Sequence, residues 1–81
     1  MKAVVTEGAM MEELFDVVIY NLHTSEIDAV VGERLRLDTG FHNAEKRLYT
    51  ALSRINENYN AVIVPAGKYC KGDKLEARDQ L

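Results

Sequence analysis

Arg47 and Arg54 stand seven residues apart, which on a helix is two turns along one flank. Asn43 and Thr50 share that flank, while His42, Lys46, Tyr49 and Ser53 occupy the neighbouring one. Two guanidinium forks beside amide and hydroxyl donors are the groups that hold a phosphate or a carboxylate. A solvated helix face would carry the same residues. A second cluster follows in Pro65-Ala66-Gly67-Lys68-Tyr69-Cys70-Lys71-Gly72-Asp73, where Lys68, Tyr69 and Lys71 could clasp a planar anion by charge and stacking. The segment is no Walker loop, because Gly67-Lys68 is followed by Tyr69 and no helix opens behind it. It reads equally as a turn with solubilising lysines. The candidate ligand-binding residues are therefore Asn43, Arg47, Arg54, Lys68, Tyr69 and Lys71.

Catalytic chemistry finds less support. Cys70 is the only cysteine, and a dyad would need His23 or His42 to reach it through the fold. An inert thiol is the plainer reading. Asp16, Glu26 and Asp28 could meet across a hairpin, where carboxylates usually serve solubility. One Cys and two well-separated His lack metal-ligand spacing. The expectation is a non-enzymatic protein with no catalytic residue, no metal and no cofactor. The stretch Asp38-Thr39-Gly40-Phe41-His42-Asn43 could form an anion site at a helix start, although the Asp38 carboxylate competes for the same N–H donors.

The elements that must position these residues are few. Leu14–Leu22 is rich in β-branched and aromatic residues and includes the uncharged run Val17-Val18-Ile19-Tyr20, which predicts a strand. Alternation sets Phe15, Val17 and Ile19 on one face, and Leu14, Val18, Tyr20 and Leu22 on the other. His23-Thr24-Ser25-Glu26 breaks the pattern before Ile27–Val31 resumes it, as in a hairpin, and Gly32 weakens or bulges the second strand. Phe41, Ala44, Leu48, Ala51, Leu52 and Ile55 then recur at spacings of three and four, predicting an amphipathic helix over about 39–57. Asp38 or Thr39 would cap it, and Asn56, Asn58 and Asn60 would mark its end. Ala61–Val64 is the third strand, stopped by Pro65, and a glycine-bounded loop and a charged tail follow.

A right-handed crossover from the second strand to the third makes those two parallel and leaves the third beside the first. The expected fold is α+β, β-β-α-β with strand order 2-1-3, in one domain over residues 12–81, preceded by an arm or edge strand at 1–11. The central strand is apolar on both faces, while one helix covers one face. Leu14, Val18, Tyr20 and Leu22 are therefore the expected interface with a second copy or another partner.

Bulk properties agree with a small folded protein. The 81 residues are 47% hydrophobic and 28% charged, inconsistent with disorder. A chain this short buries only about 60% of its unfolded surface, so self-association is expected to add stability. A net charge of −3 argues against a general nucleic-acid binder. No apolar run reaches the roughly 18 residues of a membrane span, and no signal-peptide core is present. The lone thiol fits a reducing, cytoplasmic setting.

Two stretches, Asp38-Thr39-Gly40-Phe41-His42-Asn43-Ala44-Glu45-Lys46-Arg47 and Val64-Pro65-Ala66-Gly67-Lys68-Tyr69-Cys70-Lys71-Gly72-Asp73, resemble small bacteriophage-encoded accessory proteins of unassigned function. The resemblance implies a small protein of the infected host cytoplasm that binds host machinery. The leading expectation is a homo-oligomeric, phage-type modulator of a host protein. The alternative is a small-ligand binder that captures a nucleotide or other anionic molecule at a subunit interface.

Overall fold

The computed structural model describes residues 13–37 and 43–80. The arm expected at 1–11 and the helix-start residues Asp38 to His42 lie outside the described residues. Three strands form one sheet: β1, Phe15–Asn21; β2, Ile27–Leu35; and β3, Tyr59–Pro65, in the order β2-β1-β3. Both pairings of β1 are antiparallel. This is the β-β-α-β arrangement that chain order and composition predict, with the uncharged run of β1 at the centre.

The β1–β2 turn is built by Asn21. Its side-chain oxygen accepts from the amides of His23 (2.7 Å) and Thr24 (3.1 Å), and its carbonyl accepts from Ser25 (2.8 Å). Ser25 takes φ +65°, the left-handed conformation that closes the turn. β2 is longer than the Ile27–Val31 segment that hydropathy marks, and its register with β1 shifts on both sides of Gly32. The expected glycine irregularity is thus a pair of bulges. Arg34, at φ +55°, occupies the second of them and donates its amide to Asp16 Oδ1 at 2.9 Å.

The helix α1 runs Ala44–Leu52, capped by Asn43, whose side chain accepts from the Lys46 amide at 2.9 Å. It is shorter than the 39–57 span that the apolar stripe suggests. Ser53 ends it by donating Oγ to the Thr50 carbonyl (2.7 Å), and the Arg54 amide tightens the last turn onto Ala51. An Asx turn at Asn56 then delivers the chain to β3. Ile55 still packs with the helix-side core, so the stripe is real beyond the helix itself.

Each face of the sheet has its own core. Under α1, Val17, Ala44, Ala51 and Ala61 are buried, flanked by Ile19, Leu48 and Ile63. On the other face, Val18, Tyr20, Ile27, Val62 and Val64 are covered by Tyr69 and Leu75. This corrects the expected interface. Val18 and Tyr20 are 0% and 2% exposed, sealed by the chain's own residues 66–80, while Leu14 is half-buried and Leu22 is exposed. The second face therefore needs no partner. The "charged tail" is an ordered strap with a short 3₁₀ turn, η1, at Ala77–Asp79. Three backbone bonds hold it on the start of β2: Ile27 N–H to Asp73 O (2.7 Å), Gly72 N–H to Ile27 O (2.9 Å) and Leu75 N–H to Ser25 O (2.7 Å). Among the described residues, no helix is long and apolar enough to cross a membrane.

Candidate functional site

The flank of α1 that faces the hairpin overhangs an open groove of about 450 Å³. Ile19 of β1, Val31 of β2 and Ala51 of α1 supply its apolar lining, and Lys46, Arg47, Thr50 and Arg54 supply its polar lining. The helical repeat brings 47, 50, 51 and 54 to one side, and the tight turn after Leu52 keeps Arg54 in line with them.

Arg47 is the anchored member. Its guanidinium donates through Nη1 to the Val31 carbonyl at 2.6 Å. Its aliphatic stem lies over Gly32, where a Cβ would come within 2.8 Å of Arg47 Cγ and 2.7 Å of Leu35 Cδ1. A strand glycine here admits a side chain from the helix onto the backbone of β2. One guanidinium donor is thereby engaged and the planar group is held in place, which lowers the entropy lost when its other donors meet an anion. Arg54 is exposed and makes no ion pair among the described residues. Thr50 spends its hydroxyl on the Lys46 carbonyl at 3.0 Å.

The six residues expected to bind a ligand do not form one site. Arg47 and Arg54 converge on the groove, and Asn43 is used as the helix cap. Lys68 and Tyr69 belong to the strap on the opposite face of the sheet, and Lys71 is exposed in a turn of it. The expected lysine–tyrosine clasp is corrected by what those side chains hold. Lys68 Nζ bonds Asp79 Oδ2 at 2.9 Å and lies 3.4 Å from Glu76 Oε1. The Tyr69 hydroxyl donates to the same Asp79 oxygen and accepts from the Glu76 amide at 3.2 Å. Lys68 Nζ also sits 5.5 Å from the centre of the Tyr69 ring. These groups lock the strap to itself.

Their ionisation follows from the lock. Hydrogen bonds from Tyr69 and then Lys68 hold the Asp79 carboxyl below its ordinary 3.8. Burial, and then the bond to Asp79, pushes the Tyr69 phenol above 10.0. The Asp79 hydrogen bond raises Lys68 above 10.5. Arg78, and then Lys68, lowers Glu76.

The carboxylates of the hairpin also differ from the expected cluster. Asp16 is buried and spends both oxygens on backbone amides, Oδ1 on Arg34 and Oδ2 on Gly67, each at 2.9 Å. It ties the β2 bulge to the turn after β3. His23 Nε2 lies 3.2 Å from Asn58 Oδ1, and Cys70 is exposed with its amide donated to Asp73. Among the described residues, no three His, Cys, Asp or Glu side chains gather as metal ligands. Periodicity could not have found Ile19, Val31 or Lys46 as groove residues. Gly32 carried the one available signal, a glycine inside a strand. Against models of known families, curated proteins and solved structures, the chain matches none.

Proposed function

We propose that this protein is a non-enzymatic binding protein that captures an anionic ligand in the groove between α1 and the β1–β2 hairpin. The observation that carries this reading is the fixed Arg47, pinned across Gly32 onto the Val31 carbonyl with Arg54 beside it. Such a groove is complete within one chain, so capture does not call for a subunit interface. Amide chemical shifts followed during titration with small phosphates and carboxylates test it. Expected are saturable shifts at Val31, Thr50 and Arg54 that vanish in the Arg47→Ala, Arg54→Ala double variant. Shifts scattered over the surface, or unchanged in that variant, would overturn it.

A second reading, the phage-type modulator of a host protein in the host cytoplasm, is favoured by the outer side of β3, with which no other described strand pairs. Leu22 N–H to Asn58 O and Ala66 N–H to Leu14 O set an alternation in which Ala61 and Ile63 turn their backbone groups away from β1. None of the seven residues of this edge strand is charged, and Tyr49 and Leu52 stand exposed on the adjoining flank of α1. Charges are the usual protection of an edge, and their absence suits strand addition by a partner or a second copy. Ile63→Lys should abolish such an association, read by sedimentation for the homo-oligomer and by capture from host lysate for the host protein. Capture that survives this substitution rejects the edge as the docking site.

A further inference from the structure

We infer that the α1–hairpin groove selects anions with an aliphatic body, such as an alkyl phosphate or alkyl carboxylate, over nucleotides. The inference rests on the proposed anion capture and adds the chemistry of the ligand's other half. The apolar lining is Ile19, Val31 and Ala51, all aliphatic, and among the described residues no aromatic ring lines the groove. Among the described residues the rings lie elsewhere. Phe15 packs into the helix-side core, Tyr20 and Tyr69 are buried on the strap face, Tyr49 is exposed on α1, Tyr59 is in β3, and the His23 imidazole is in the hairpin turn. A nucleobase is ordinarily held by a stacking ring and by donors and acceptors that read its edge. Among the described lining residues there is no ring, and the one side-chain hydroxyl, that of Thr50, already donates to the Lys46 carbonyl.

Charge points the same way. Arg47 and Arg54 line the groove, and among the described residues no acidic side chain does, in a chain whose net charge is −3. The cations are therefore a local concentration against the general sign of the molecule, which steers anions to this place. Arg47 and Arg54 meet the head group, and the aliphatic surface between helix and sheet receives the chain. The volume of about 450 Å³ falls within the range of small-molecule sites and suits a single chain of medium length.

Calorimetry with the full chain tests this using octyl phosphate below its micelle concentration, beside inorganic phosphate, adenosine monophosphate, octyltrimethylammonium and phosphatidylglycerol vesicles. Expected is one site for octyl phosphate, at least about tenfold tighter than for inorganic phosphate or the nucleotide. Arg54→Ala should weaken it by about tenfold and Arg54→Glu by more, as loss of a charge-assisted contact implies. Nucleotide binding as tight as octyl phosphate, and dependent on Arg54, would overturn the aliphatic selectivity while leaving anion capture standing. Failure of every anion overturns both. Equal binding of octyltrimethylammonium, or octyl phosphate binding indifferent to both Arg54 variants, overturns the role of charge. Binding to vesicles alone makes the site a membrane contact and rejects a free ligand.

Discussion

On one face of the sheet, the nine-residue α1 sets Ala44 and Ala51 on Val17 and Ala61; on the other, an irregular strap sets Tyr69 and Leu75 on Val18 and Val62. The helix satisfies its own backbone and covers the sheet with small side chains, so its flanks stay open and a groove remains beside β2. The strap has no internal ladder. It must borrow β2's edge for backbone bonds and use the Lys68–Tyr69–Asp79 contacts to hold its shape, which leaves its polar groups committed. The face with regular cover is therefore the one with chemistry to spare, and the face rich in charged residues is structural.

That contrast can be broken most directly at Leu75, which is 3% exposed. Leu75→Ala should cost about 2–5 kcal/mol in urea unfolding and deprotect the Ile27 amide to hydrogen exchange. Leu48→Ala, at a half-buried helix position, should cost less; the reverse order would make the helix the dominant cover. Next in size is Asp16→Ala, which strands the amides of Arg34 and Gly67 and should cost about 3 kcal/mol. Tyr69→Phe removes the hydroxyl from Asp79 and the Glu76 amide and should cost about 1–2 kcal/mol, without altering ligand capture at the groove.

The pH dependence sharpens the same comparison. Asp79 is held below 3.8, so its contribution is present above that value and is lost as the pH falls through the lowered one. Lys68 and Tyr69 are raised above 10.5 and 10.0, so theirs is present below those values and is lost as the pH rises through the raised ones. Melting temperature against pH should fall on both sides of this plateau, and Asp79→Asn should lower the plateau and flatten both falls. A cost of about 1 kcal/mol is expected for Gly32→Ala, whose Cβ displaces both Leu35 Cδ1 and Arg47 Cγ, and anion binding should drop with it. Preserved binding would show that the seat of Arg47 on β2 is dispensable.

The sheet order and the helix stripe were legible because each repeats with a fixed period, two in β1 and nearly four through Ala44, Leu48 and Ala51. The strap has no period. Tyr69 and Leu75 are separated by five residues that include Lys71, Gly72 and Asp73, and their burial depends on backbone bonds to β2. In sequence, a face that one helix cannot reach thus looks like an interface, although a segment without regular structure fills it. The apolar spacing overstates the helix, because Ile55 keeps it after Ser53 has closed the last turn. Lys68 looks like a free cation in sequence because nothing in its neighbourhood announces Asp79, eleven residues on. At the groove, the Arg47–Arg54 spacing was visible, whereas the aliphatic floor comes from two strands whose inward side alone reveals it.

The strap also bears on how the chain is made. All three strands are synthesised by Pro65, but the segment that shields Val18 and Tyr20 is translated after them. A chain cut short before Leu75 would keep all three strands yet leave Val18 and Tyr20 without their cover, an oily surface prone to aggregation.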